Sequence, residues 1–474
     1  MLDPCGLWEL APPSAQFSFA DFGDVRLTKR LCVLADALAA RPSDSFPQSM
    51  RTEASLEGAY RFMNNRRVTP ERILEPHVLA TFDRAATSGT FLALHDTTQF
   101  EFDDPAQRHA LGILGGSAGR GFLSHVTLAV SADLAHRPLG VLAIRSWLRD
   151  GKKSQQSSVQ RRDADDNELL RWTAQAIAVD DASPAGTRAI HVMDREADSY
   201  SLLTSLAGHQ FVIRAKHDRV VLLPEENRVT RRDKLKAVVA RGALVLERTV
   251  PLSRRLPSTK PYGKHIHPPR HERNARLGIS ATAVVLRRSK DSNPKLPATL
   301  AINVVNVVEL DTAAGNHPVH WVLLTSLPIE TAEDVAAIVD HYRARWIVEE
   351  FFKALKTGCA IEQRHFESLH ALLNVLATMT PIAHQLLLLR YLSRHCPDDP
   401  ATAAITPTQL AVLREFTVVK LSKQPTVRHV MLAIAQLGGH LRNNGEPGWQ
   451  VLGRGFHDLL LLEEGWSARR GKTM

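Results

Sequence analysis

Residues 91–98 read Phe91-Leu-Ala-Leu-His-Asp-Thr-Thr98, and residues 189–194 read Ala189-Ile-His-Val-Met-Asp194. Both are short apolar runs with the composition of a buried strand, and each carries an Asp at or near its end. A lone Asp there is costly to bury unless it pairs or binds a cation. Asp96 and Asp194 are therefore the first candidates for chemistry. A second reading stands for Asp194, because a strand-terminal Asp often caps the helix that follows it.

The surrounding sequence sets the fold class. Thr90–Phe102, Leu123–Ala132 and Pro138–Trp147 read as three sequential antiparallel strands, punctuated by Gly, Pro and Asp. Then come a helix over Asp166–Ala178, a strand over Arg188–Asp194, a helix over Ala197–Leu206 and a strand over Phe211–Arg214. Three strands followed by strand–helix alternation predict an α/β fold, a mixed sheet with helices packed on it. After Arg214 the runs Ala243–Val250, Ile279–Leu286, Thr299–Val308 and Val319–Leu324 predict an all-β insertion.

Val25–Ala40 and Glu53–Asn64 have helical spacing. Residues 369–474 read as helical, with a turn at Gly438–Gly439. The apolar stretch Ala371–Leu392 contains Asn374, Pro381, His384, Gln385 and Arg390, so it predicts a buried helix and no membrane span. The resulting division is 1–72, 73–370 with a β-rich insertion at about 216–325, and 371–474. No signal peptide is apparent at the N-terminus. The four cysteines form no C-x-x-C pair, which fits free thiols in a reducing cytoplasm.

The chain of 474 residues carries a net charge of +9, with 44% hydrophobic residues, which excludes a disordered or collagen-like polymer. The charge is uneven. Residues 205–310 hold 21 Lys/Arg against 8 Asp/Glu, residues 1–72 hold nine of each, and the remainder is slightly acidic. A basic block inside a nearly neutral chain points to a polyanion at that block.

A third acid stands on the clearest helix, Thr331–Thr357, which opens with a capping-box pattern (Thr331, Asp334) and stops at Gly358. Tyr342, Arg345, Glu349, Lys353 and Lys356 are spaced to share one face. That face is either solvated, with Glu349 and Lys353 as an i,i+4 pair, or a phosphate-gripping surface on which Arg supplies a donor fork and Tyr a hydroxyl. Three converging carboxylates would suit two Mg²⁺ or Mn²⁺ ions. Asp163, Asp165 and Asp166 read as a solvated helix start. The glycines of 112–121 read as a mobile loop, and His265, His267 and His271 as a solvated loop without zinc. No Walker-type phosphate loop or H-E-x-x-H pattern occurs.

Taken in order, several segments resemble the bacterial DDE transposases of insertion-sequence family four, the transposon-five transposase type. They are Glu57-Gly-Ala-Tyr-Arg-Phe62, His95-Asp-Thr-Thr98, Asp194-Arg-Glu-Ala-Asp198, Phe211-Val-Ile-Arg-Ala-Lys-His217, Trp346-Ile-Val-Glu-Glu-Phe351, Leu432-Ala-Ile-Ala-Gln-Leu-Gly-Gly439 and the Y-R-E-K signature Tyr342, Arg345, Glu349, Lys356. The resemblance implies an RNase-H-like core with a β insertion, a helical N-terminal domain that binds transposon ends and a helical C-terminal dimerisation domain. It implies a metal-binding triad of Asp96, Asp194 and Glu349 holding two Mg²⁺ or Mn²⁺ ions. It implies DNA contacts from Tyr342, Arg345, Lys356, Arg214, Arg30 and Arg61, and Lys353 lies on the same helix face. Trp321 falls where the family stacks a flipped base, the alternative being a tryptophan packed in the strand His320–Thr325. The implied activity is cut-and-paste transposition through a hairpin. The partners would be the double-stranded terminal inverted repeats, target DNA and a second copy of the chain, in the bacterial cytoplasm at the nucleoid. A non-cutting DNA-binding regulator and a plain RNase-H-like nuclease are the rival readings.

Overall fold

The computed structural model describes residues 10–50, 52–102, 111–114, 119–149, 168–223, 231–252, 269–290, 292–312, 317–441 and 445–471. One mixed sheet organises them. Strand β1 (Thr90–Phe102) is central. After the two-residue β2 (Gly112–Ile113), β3 (Arg120–Ser131) pairs with β1 antiparallel, and β4 (Pro138–Trp147) pairs with β3 antiparallel. Strand β5 (Arg188–Met193) lies parallel to β1 on its other side, and β6 (Gln210–Arg214) parallel to β5. The lateral order is β4-β3-β1-β5-β6.

The first half of β1 is buried from Phe91 to His95, as a strand covered on both faces must be. Alternation sends Leu92 and Leu94 into the large core shared with Ile73, Leu74 and Val192. Phe91 and Ala93 pack oppositely with Phe82, Ala85 and Val179. The covering helix Pro70–Ala86 starts where its sequence dictates: the Thr69 hydroxyl accepts the Arg72 N–H, and Pro70 occupies the first turn, where a missing N–H is harmless.

The basic segment does not form a separate body. It adds β7 (Val220–Leu223), β8 (Arg231–Lys234), β9 (Leu244–Leu252), β10 (Arg273–Arg287), β11 (Thr299–Glu309) and β12 (His320–Thr325) to the same sheet. The join is β12 against β6, through Leu323–Arg214, Leu324–Ile213 and Thr325–Val212. The all-β reading of this segment lacked β7, β8 and the helix Leu235–Ala240. Arg231-Arg-Asp-Lys234 has no apolar alternation, and only its pairing with β7 makes it a strand. The glycine-rich 112–121 segment, read as a loop, is in part a hairpin in which Gly112 pairs with Gly121. A Cβ on Gly121 would stand 1.8 Å from the Phe100 carbonyl oxygen, so only glycine fits there.

Helices hold the ends of the chain against this sheet. The N-terminal helices include Val25–Ala40 and Glu53–Met63, as their spacing predicts. The boundaries drawn at 72/73 and 370/371 both fall inside continuous helices, Pro70–Ala86 and Leu369–His395. The latter is long and apolar enough to cross a membrane, yet 89% of its most apolar window is buried within the protein. Asn374 on it donates to the carbonyls of Met63 and Val68 at 2.9 and 3.0 Å, tying it to the N-terminal helices. Gly438 ends the helix Val427–Leu437 and Gly439 adopts a φ of +87°, the turn predicted there. Cys32, Cys359 and Cys396 are free thiols.

Candidate active site

The parallel register of β1 and β5 builds the site. Leu94 pairs with Val192, so Asp96 and Asp194, each two residues further on, emerge at the same end of adjacent strands. Strands lie about 4.8 Å apart, which brings the two carboxyl groups into electrostatic reach. Asp194 is both things its sequence allowed. It caps the short turn Arg195–Ala197 by accepting the Glu196 N–H at 2.7 Å, and it faces Asp96 closely enough to disfavour that group's ionisation.

The third acid arrives by helix. The predicted helix Thr331–Thr357 is interrupted. Ala332–Ala344 and Trp346–Lys353 are separated by a tight turn at Arg345, where Arg345 N–H bonds Tyr342 O and Val348 N–H bonds Arg345 O, each at 3.2 Å. A wider turn, Ala354–Gly358, follows. The tight turn carries the Arg345 side chain to the sheet. Its Nη1 donates to Asp96 Oδ2 at 3.1 Å, and its Nη2 to Glu349 Oε1 at 2.6 Å. One guanidinium thus bridges two of the three acids.

The electrostatics follow from this crowding. Burial, together with Asp194 and Glu349, pushes the Asp96 carboxyl up to about 7, although Arg345 and the Thr97 N–H favour its charged form. Burial alone would weaken the Arg345 cation, but Asp96, Tyr342 and Glu349 more than reverse that and hold it charged. Tyr342 is buried, its hydroxyl titration is pushed upward by burial, and it bonds Arg214. Trp321 meets the Tyr342 ring edge-on at 5.4 Å and is half-buried, so it packs on the site as well as in its strand. Arg214 also donates to the His320 carbonyl at 3.1 Å.

Other predicted residues stand apart. Lys353 turns from Glu349 to Glu350, at 2.7 Å, and lies over the Trp346 ring. Lys356 reaches the Gln99 carbonyl on β1 and pairs with Glu362 at 3.2 Å, so it braces the strand that carries Asp96. Arg30 and Arg61 are exposed on the N-terminal helices. Arg30 lies across Gly58, and Arg61 pairs with Glu57. His271 is exposed, whereas Asp163, Asp165, Asp166, His265 and His267 lie outside the described residues.

Two features escaped the sequence reading. Asp198 is fully buried. It accepts the Lys216 and His217 N–H groups at 2.6 and 2.8 Å and pairs with Arg219, fastening the loop after β6. Beneath Asp96 runs a buried chain of side chains: Thr97 Oγ1, His125, His95, His191 and Asp180. With Asp180 as the terminal acceptor, His191 and His95 each donate through Nε2 and accept at Nδ1, and two groups stand ready to donate to His95 Nδ1: His125 Nε2 at 3.3 Å and the Thr127 hydroxyl at 3.1 Å. Burial pushes His95 and His125 well below the usual histidine range, so both accept this neutral role. The signal was available, since His95 and His191 interrupt strands that are otherwise apolar.

Among the described residues, no three Asp, Glu, His or Cys side chains stand together as a ligand set for one ion. The Arg345 guanidinium lies between two of the candidates. The donor chemistry nevertheless fits a hard divalent cation, because all three groups are carboxylates. Around Asp96 positive charge is too scarce to keep a buried carboxyl ionised, which is the condition a bound cation relieves.

Fold and site define an α/β protein whose sheet presents acids at adjacent strand ends, with arginines and a tyrosine beside them and a basic sheet extension alongside. Two family models match the chain in sequence order: transposase DNA-binding over residues 14–68, and transposase DDE domain over residues 158–380. The chain carries the DNA-binding and DDE domains of a transposase. Asp194 and Glu349 lie within the second match, and Asp96 precedes it.

Proposed function

We propose that this chain is a cut-and-paste DNA transposase of insertion-sequence family four, with Asp96, Asp194 and Glu349 as its catalytic acids. The observation that carries the reading is the convergence of Asp96 and Glu349 on one arginine at the strand end shared with Asp194. The order β4-β3-β1-β5-β6, three antiparallel strands followed by two parallel ones, supports an RNase-H-like core.

The three carboxylates would hold two Mg²⁺ or Mn²⁺ ions, which supply charge stabilisation to the attacking and leaving oxygens of a phosphodiester. The chain's own groups do the rest. Tyr342, Arg214 and Arg345 offer donors to a backbone phosphate, Trp321 offers its ring for stacking on an extruded base, and the basic β7–β12 extension guides the duplex. In sequence, water attacks the phosphodiester at the transposon end, and the freed 3′-OH attacks the opposite strand to give a hairpin. Water then reopens the hairpin, and the 3′-OH attacks target DNA. Every joining step exchanges one phosphodiester for another, so no nucleotide cofactor is consumed. Residues 1–72 read the terminal repeats through Arg30 and Arg61. Residues 371–474 support a homodimer that pairs two ends, acting on DNA in the bacterial cytoplasm.

The test is incubation with duplexes taken from the DNA flanking the gene, in Mg²⁺. The expected products are hairpin-capped flanked DNA and a free 3′-OH, both lost in Glu349→Ala. Cutting that survives Glu349→Ala refutes the site. Binding without cutting favours the regulator, and hydrolysis without a hairpin favours the nuclease.

A further inference from the structure

The two lysines that follow Glu349 are held by other groups. Lys353 is held by Glu350, and Lys356 by Glu362 and the Gln99 carbonyl. Arg345 differs from these. It is anchored to two of the acids that the proposed function needs for divalent cations, one Nη on each, with only 14% of its side chain exposed. A guanidinium placed this way sets one positive charge between two carboxylates that a divalent metal would need. Arg345 stands at the tight turn between the two helices, and its side chain moves by rotation about its own bonds. Tyr342 and Arg214 stand next to it, and a phosphate entering beside them would offer the same guanidinium an alternative bidentate partner.

We propose that Arg345 is a resident counter-ion that closes the acidic site until DNA arrives. Without DNA it bridges Asp96 and Glu349 and competes with divalent cations for them. A docked phosphate draws the guanidinium away and leaves both carboxylates open to metal. Metal loading and DNA binding are then coupled, and by linkage each strengthens the other by the same factor. The inference rests on the metal-binding reading of the three acids.

The test is a Mn²⁺ titration of the full chain without DNA, with free Mn²⁺ followed by electron paramagnetic resonance. Arg345→Gln removes the charge and should bind Mn²⁺ on the order of ten-fold more tightly than the unaltered chain. Arg345→Lys keeps the charge and should stay close to the unaltered chain. Adding Glu349→Gln to Arg345→Gln should erase the gain. Equal affinity in Arg345→Gln and the unaltered chain overturns the counter-ion role. If Glu349→Gln still weakens binding in that case, the metal reading survives. Mn²⁺ binding by none of the proteins overturns both. Should Arg345→Gln fail to fold, the unaltered chain decides. A duplex from the DNA flanking the gene should tighten its Mn²⁺ binding relative to Glu349→Gln with the same duplex, and no tightening overturns the proposal.

Discussion

Asp96→Asn should make the metal-free protein more stable, and only at the upper end of the pH range. The carboxyl titrates near 3.8 in an unfolded chain and near 7 in the folded one, where burial, Asp194 and Glu349 resist its charge. Between these values the folded chain holds a proton that the unfolded chain has released. Stability therefore falls as pH rises through that window and is level above it. About three pH units at 1.36 kcal/mol each set a ceiling of about 4 kcal/mol for the cost of ionised Asp96. Asparagine keeps the shape and one acceptor oxygen, for Thr97 N–H, gives up the second oxygen that accepts from Arg345, and cannot ionise, so the pH-dependent cost disappears. Unfolding entropy of about 2.1 cal/mol/K per residue gives roughly 1 °C of melting shift per kcal/mol for a cooperative unit of this length. The assay is paired thermal melts in EDTA from pH 4 to pH 8.5. The variant should gain on the unaltered chain as pH rises, by up to about 4 °C, and the gap should stop widening above about pH 7.5. A difference that does not change with pH, or a variant that becomes relatively weaker as pH rises, would refute the account of the site's electrostatics.

Asp198→Ala leaves the Lys216 and His217 amides and the Arg219 guanidinium without their shared acceptor. It should cost about 3–5 kcal/mol, and hydrogen exchange at the two amides should accelerate; unchanged protection there sinks the anchoring role. Gly455→Ala places a Cβ 1.7 Å from the Ile434 carbonyl oxygen, so Val427–Leu437 and Trp449–Gly471 must separate. A loss of about 1–3 kcal/mol should appear in denaturant melts, and an unshifted midpoint would show that the helices have room. DNA affinity should fall steeply with salt through counterion release, and a flat response would remove the basic extension from the binding surface. The slope should be shallower than the raw excess of charge suggests, because Arg219, Arg248 and Arg276 are paired with acids outside the block, namely Asp198, Asp340 and Asp311.

The strands were legible because each is an apolar, β-branched run bounded by turn residues, and β1, β3, β4, β5 and β6 fall within a few residues of their predicted limits. Asp96, Asp194 and Glu349 stood out for a related reason, as charges in places where charge is costly. The interruption at Arg345 was not legible. Nothing in Tyr342-Arg-Ala-Arg-Trp346 breaks a helix, and the turn answers to Asp96, which lies 249 residues away in sequence. The alternative that pairs Glu349 with Lys353 fails for the same reason, since Glu349 is already engaged by Arg345 and leaves Glu350 to the lysine. The histidine chain needs three strands in register before its members meet, so composition alone could show only that histidines interrupt apolar runs.

The unbroken sheet bears on how such a protein can diversify. An insertion joined only by two linkers can be lost, exchanged or transplanted with little penalty to its host. Here β12 covers the edge of β6, whose Phe211, Val212 and Ile213 are buried. Excising the basic segment would bare that edge as a template for pairing with other chains. Lineages descended from this architecture are free to rewrite the loops and charges of the extension, but β12 is inherited with the core.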